Sequence, residues 1–360
     1  MEKIKIENRL SAIEIAKKIM ELKSLTATDS DFKNLKQKIV PENLMQRVNQ
    51  ICLGLENEDE FAFLCNLMET CTSISKLGQT PIVDNDEKIP DFIASFQPGC
   101  TVMGLKPEDI NVKIDCFIEV KSCKKNIFKI TKNDITARIK YAKRYNHPLF
   151  FAVRFTSLED TNLWVIVDSK ILKKKRKLKI NDMVNQINHV LLDDYVFFIN
   201  PHLHIIHYYI DADKLEGVKK RNVGTLVKLV LLMPQIEPIE IDDKLTVLFS
   251  AFFECMNLQI LKTHIDNKQT YEISKVGIQF AILSNLMMSL NKIVTDNDGN
   301  PSFNAKKILD MMGSKVYKPA IFTREMVEYI KRYLNSKADI FFMMSIGEPT
   351  AQLKQLKSFE

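Results

Sequence analysis

The sequence predicts an α+β (α/β) fold built on a mixed central sheet, in the order helix, three strands, helix, two strands. N-terminal helices precede that core and a helical C-terminal domain follows it. Three observations carry the expectation. Two short apolar strands, near residues 89–93 and 116–120, each hold an acid inside or beside an apolar run. A helical pattern with a basic face, residues 133–145, follows the second strand directly. Two further apolar runs, 149–155 and 163–167, come next, with a polar turn between them.

Taken in order, residues 7–55 read as helices. Ile15, Ala16, Ile19, Met20 and Leu22 recur at helical spacing, Asp29 and Ser30 offer N-cap side chains, and Pro41 suits a first turn. Residues 1–55 are therefore expected to form an N-terminal helical segment. A new helix is expected from Glu56, because Glu56, Glu58, Asp59 and Glu60 would suit the positive end of a helix dipole. Residues 73–83 and 88–96 read as strands, the first interrupted by Gly78 and Pro81. The third strand ends in Phe117-Ile118-Glu119-Val120-Lys121. Alternation there puts Phe117, Glu119 and Lys121 on one face and Cys116, Ile118 and Val120 on the other.

The same alternation points to chemistry. Glu119 and Lys121 converge on one side of their strand, and Asp91 joins them if its strand lies alongside. Two carboxylates offer hard oxygen ligands to a divalent cation, and a lysine beside them can orient a water or offset charge. Asp115 shares the strand face of Glu119 and competes with Asp91 for the role. Asp91 is preferred because it follows Pro90 at the start of an apolar strand.

Pro90-Asp91 followed 28 residues later by Glu119-Val120-Lys121 resembles the PD-(D/E)xK nuclease superfamily, the restriction-endonuclease-like fold, and the strand and helix order of residues 56–169 resembles its core. The resemblance implies a Mg²⁺-dependent nuclease, with Mn²⁺ as a substitute ion, that hydrolyses DNA phosphodiester bonds. An endonuclease of restriction, phage defence, repair or mobile-element processing is the expected type. It implies metal ligation by Asp91, Glu119 and the Val120 carbonyl, and a catalytic Lys121. It also implies a further glutamate from the preceding helix, Glu60, with Glu58 as the alternative. Some branches carry a glutamine four residues before a tyrosine on the following helix, whereas Ala137 precedes Tyr141 here. A catalytically silent nucleic-acid-binding or scaffolding protein, or a nuclease subunit aimed by a protein partner, is the competing reading.

Charge supports a polyanionic partner. The chain is net +6, yet residues 121–180 alone hold 17 Lys and Arg against 4 Asp and Glu. The basic groups expected to meet DNA are Lys124 and Lys125, then Arg138, Lys140, Lys143 and Arg144 on the helix, then the run Lys173, Lys174, Lys175 and Arg176. A solvated lysine-rich surface is the plainer reading of the same run.

Residues 196–199 and 203–209 read as a further hairpin that ends a nuclease domain of residues 56–210. His202 and His204 share a strand face with His207 on the other, a pattern of packing or surface rather than zinc. Beyond residue 211, residues 244–265 and 271–294 read as two long apolar helices. A turn over 296–301 and shorter helices over 302–312 and 323–334 follow. This domain, 211–360, is expected to serve interaction or homo-oligomerisation. Seven cysteines without a paired spacing, no apolar leader among the first residues and no long uncharged apolar run point to a cytoplasmic protein without a membrane span.

Overall fold

The computed structural model describes residues 11–345 and 347, except 24–25, 27–28, 79–85, 100, 102–111, 158–162, 186, 211–218, 221–222, 267–268, 293–302 and 315–320. The turn expected over 296–301 lies outside the described residues. Among those described, no helix is long and apolar enough to cross a membrane.

Among the described residues three helices come first: α1 (Ala12–Lys23), α2 (Asp29–Ile39) and α3 (Met45–Met68). Ile15, Ile19, Val48 and Cys52 make a small core where α1 meets the first half of α3. The expected boundary at residue 55 is corrected, since it falls inside α3. No proline interrupts residues 45–68, and the acids do not need a helix start. Lys23 pairs with Glu56 at 2.6 Å, Lys76 with Asp59 at 2.7 Å, and Arg154 with Glu60 at 3.1 Å. The helix stops at Glu69, which takes a left-handed φ of 65°.

The central sheet contains β1 (Cys71–Lys76), β2 (Phe92–Phe96), β3 (Ile114–Cys123), β5 (Leu149–Phe155) and β6 (Leu163–Asp168) in that spatial order. Only β3 and β5 run parallel; the other neighbours are antiparallel. A parallel pair needs a crossover, and the chain supplies one through β4 (Ile127–Lys129) and α4 (Lys132–Arg144). Thr131 caps α4 by accepting from the Asp134 N–H. The sheet is covered on both sides. Ile118, Val120, Phe150 and Trp164 pack with Phe61 and Leu64 of α3. On the opposite face Phe117, Phe151 and Val165 pack with Ile135 and Ala142 of α4. Burial on both faces explains why β5 and β6 read as continuous apolar runs.

After β6 come α5 (Ser169–Lys175), β7 (Lys177–Lys179), α6 (Asn188–Leu191), β8 (Val196–Ile199) and β9 (His204–Ile210). β7 pairs antiparallel with β4 as a two-stranded ribbon. The expected β8–β9 hairpin is corrected: the two strands enter different sheets. β9 joins β10 (Lys219–Lys220), β11 (Gly224–Leu232), β12 (Ile239–Glu240), β13 (Leu258–Asp266) and β14 (Gln269–Val276). β8 instead lies between β15 (Phe280–Ile282) and β16 (Phe341–Met344). Four further helices follow among the described residues: α7 (Asp243–Glu254), α8 (Leu283–Lys292), α9 (Ala305–Met312) and α10 (Arg324–Asn335).

The helical reading of residues 211–360 is likewise corrected, because strands and helices alternate there. The pattern over 244–265 is a Phe-rich helix abutting a strand. Asn257, at φ 52°, ends the helical geometry, and Gly277 passes so close that an added Cβ would lie 2.2 Å from the Asn257 carbonyl oxygen. Nor does a boundary at 210 divide the molecule. β9 pairs with β11 and β14 across it, and one core runs from Phe61 through Trp164 and Phe197 to Leu334.

Candidate active site

Asp91 sits at the entry to β2, where its carbonyl accepts from the Leu77 N–H at the end of β1. Phe92 pairs with Ile118, so Asp91 lies beside Glu119 across the β2–β3 pair. The Asp91 Oδ2 accepts from the Val120 N–H at 2.7 Å. Along β3, Glu119 and Lys121 project to the same side as expected, and the Lys121 ammonium hydrogen-bonds Glu119 Oε1. The structure thus brings Asp91, Glu119 and Lys121 together on a cleft of about 800 Å³ that Val120, Glu58 and Arg138 also line. Asp115, the competing acid, is exposed at the start of β3, where Ser95 donates to it.

The site gathers buried carboxyl groups. Glu119 has no exposed surface and Asp91 has 5%. Burial, with repulsion from Glu119 and Glu58, pushes the Asp91 carboxyl up to about 8, against the opposing pull of Lys121 and the Val120 N–H. Burial also raises the Glu58 carboxyl, with Lys76 at 3.4 Å opposing it.

The helix glutamate expected in the cleft was Glu60, and the structure turns it away. Glu60 pairs with Arg154 at 3.1 Å and Lys292 at 3.4 Å, and it is Glu58 that lines the cleft. Two residues apart on a helix means about 200° of rotation, so the two glutamates cannot serve one site. The signal was present in the sequence. Leu55, Glu58, Ala62 and Cys65 recur at spacings of three and four, which places Glu58 on the buried stripe.

Arg138 also departs from its expected role on the DNA-facing surface. Its Nη2 reaches Glu119 Oε1 at 2.5 Å while Nη1 holds Asp134 at 2.7 Å. Burial works against the charged guanidinium, but Glu119 and Asp134 outweigh it and its pKa is raised. Here too the spacing tells: Ile135, Arg138 and Ala142 form one stripe of α4, and both apolar members are buried.

The remaining basic residues stay at the surface. Lys140 pairs with Asp86 at 3.3 Å and Arg144 with Glu87 at 2.7 Å, so those two cations already have acidic partners. Lys143 is exposed on α4. Lys124, Lys125, Lys173, Lys174, Lys175 and Arg176 are all exposed beside the β4–β7 ribbon. His207 is buried while His204 is not, and His204 Nδ1 lies 3.1 Å from the His202 carbonyl oxygen.

Among the described residues no three His, Cys, Asp or Glu side chains converge as a metal-ligand set. A smaller donor set fits a hard cation in charge and atom type. Asp91 and Glu119 are adjacent buried carboxylates, and Glu119 Oε2 is buried with no hydrogen-bond partner. An acceptor left in that state favours a positive partner, and carboxylate oxygens match Mg²⁺ or Mn²⁺.

No family model and no curated protein matches this chain. Among solved structures, the chain is similar to a Holliday junction resolvase from the archaeon Archaeoglobus fulgidus. The two are 13% identical with a TM-score of 0.25, over 36% of this chain and 92% of that one.

Proposed function

We propose that this chain is a divalent-metal-dependent nuclease of the PD-(D/E)xK type that hydrolyses DNA phosphodiester bonds, acting as an endonuclease. The observation that carries the reading is the meeting of Asp91, Glu119 and Lys121 in one cleft, with Asp91 tied to the Val120 N–H. Supporting it is the sequence of elements around them: α3, then β1 to β3, α4, β5 and β6, with β3 and β5 parallel.

Asp91 and Glu119, with the Val120 carbonyl, would hold Mg²⁺ or Mn²⁺, and Glu58, in place of Glu60, adds negative charge to the same cleft. When bound, such an ion supplies Lewis acidity toward a phosphodiester and acidifies water. The chain's own groups do the rest. Lys121, half-buried at the cleft, orients the attacking water and offsets the charge that builds on the phosphoryl oxygens. Arg138 pairs with Glu119 and fixes the direction of its carboxylate. Hydrolysis forms one bond from the water oxygen to phosphorus and breaks one ester P–O bond, and the leaving oxygen takes a proton. Exposed lysines beside the cleft hold the DNA backbone.

The test is plasmid cleavage by Asp91→Ala and Lys121→Ala. Both are expected to lose cleavage while DNA binding stays within a few-fold of wild type. A variant that cut at the wild-type rate would remove its residue from the mechanism.

A further inference from the structure

The β4–β7 ribbon is the feature that the cleft does not account for. Its inner side chains, Phe128 and Leu178, are buried in the core beneath the sheet, so alternation turns Ile127, Lys129, Lys177 and Lys179 outward. Lys129 stands directly opposite Lys177, and Lys179 opposite Ile127. Like charges placed across from each other on paired strands are destabilising. Among the described residues no ion pair joins Lys129, Lys177 or Lys179 to an acid, and Asp182 accepts from the Lys179 backbone N–H at 2.9 Å. Lys124 and Lys125 in the turn before β4, and Lys173 to Lys175 on α5, widen the same exposed surface.

The ribbon is also held in place. Beyond the paired residues, Ile130 N–H donates to the Arg176 carbonyl at 3.2 Å and Ile180 N–H to the Asn126 carbonyl at 3.0 Å. It continues the strand that carries Glu119 and Lys121. From Lys121 to Lys129 the chain spans at most about 28 Å, at ~3.5 Å per residue. One turn of duplex is about 34 Å.

We propose that the β4–β7 ribbon is a docking element for double-stranded DNA, which it holds by the phosphates within one helical turn of the cleft. The proposal rests on the nuclease reading above and adds Lys129, Lys177 and Lys179 to it. Three features select a duplex. The charges are set in a rigid two-stranded element, which suits a groove or the paired backbones flanking it. The reach to the cleft, at most about 28 Å, falls within one duplex turn of about 34 Å. No aromatic side chain faces outward from the ribbon to stack on unpaired bases.

The experiment measures binding of labelled duplex DNA in EDTA across a salt series, with single-stranded DNA and duplex RNA as competitors. It compares wild type with the triple variant Lys129→Glu, Lys177→Glu, Lys179→Glu. A control variant, Lys244→Glu, Lys262→Glu, Lys275→Glu, changes net charge equally at exposed sites elsewhere. Wild type and control are expected to bind alike and to prefer duplex DNA. The ribbon variant is expected to bind at least about tenfold more weakly, with a salt slope shallower by roughly 2 to 3, from about 0.9 per lost phosphate contact. Replacing the same lysines by glutamine should give a smaller loss in the same direction, which a misfolded glutamate variant would not explain. Wild-type affinity and slope in the ribbon variant, or preference for single strands or duplex RNA, would overturn the proposal. Plasmid nicking measured beside it separates the two readings. Nicking by wild type with a neutral ribbon sinks the ribbon alone, whereas absent nicking and absent DNA binding sink the nuclease reading as well.

Discussion

Glu119 is the residue on which the site turns, because it is fully buried and both Lys121 and Arg138 reach the same oxygen. Arg138→Gln would leave that carboxylate short of a buried partner and is expected to cost about 3 kcal/mol of stability, in the range for breaking a buried pair. Denaturant midpoints at constant m-value would report it, and Arg138→Lys should recover part. Asp91 carries the opposite signature. Its carboxyl titrates near 8 in the folded chain, far above its ordinary value of 3.8. Between those values the folded state holds a proton that the unfolded state has lost, so stability falls as pH rises from about 4 to about 8. Asp91→Asn should flatten that slope and raise the melting temperature near pH 7.5 by several degrees, with little change near pH 4. A slope unchanged by the substitution would contradict the burial argument. The two helix glutamates separate cleanly: Glu58→Gln should depress cleavage at limiting Mg²⁺, whereas Glu60→Gln should lower stability through Arg154 and leave cleavage intact. That Glu119 and Lys121 share a face was legible in the sequence because strand alternation fixes it, and Asp91 was singled out beside them because it follows Pro90 at the start of an apolar strand. Choosing Glu58 over Glu60 needed only the helical stripe through Leu55 and Ala62. The partners Lys76 and Arg154 come from distant strands, and no local pattern announces them.

Among the elements, α3 carries the most consequence for the site. It passes unbroken from the N-terminal helices to the central sheet and brings Glu58 to the cleft on the way. Local charge suggested a helix start at Glu56, but propensity and long-range ion pairs carried the helix through. Gly54 lies inside it, and a Cβ there would meet nothing within 4 Å. Gly54→Ala should therefore stabilise the chain by roughly 0.5–1 kcal/mol, read from the thermal midpoint. If the helix ended at residue 55, the same change would be neutral or harmful. The strands near the site were readable because they are short, apolar and bounded by turns. β13 and β14 were not, since β13 begins four residues after the Phe-rich end of α7 and its bulge at Ile260/Lys262 blurs the period of two. Their neighbour in space, β9, is set by pairing rather than by sequence order.

Across the whole molecule, the segments before and after residue 210 share one core rather than holding one each. Arg324 of α10 fastens them: it donates to the Met68 carbonyl at the end of α3 at 3.0 Å and pairs with Asp193. Calorimetry should accordingly show one cooperative transition spanning residues on both sides of that point. Two resolved transitions would restore the domain division that the sequence suggested. Self-association, which composition assigned to C-terminal helices, has a different surface available: Phe280, Phe198 and Phe342 stand in register across β15, β8 and β16, all exposed. The charge distribution belongs to this scale as well, since the basic residues gather on the side of the sheet that carries α4, α5 and the ribbon. The proposed chemistry is cleavage of DNA by Asp91, Glu119 and Lys121 with a bound cation. Its most direct test is supercoiled plasmid incubated with the purified chain in Mg²⁺, in Mn²⁺ and in EDTA, beside Lys121→Ala. Nicked or linear product is expected with either metal, none in EDTA and none from Lys121→Ala. Cleavage that persists in EDTA, or that Lys121→Ala performs as well as wild type, would contradict it.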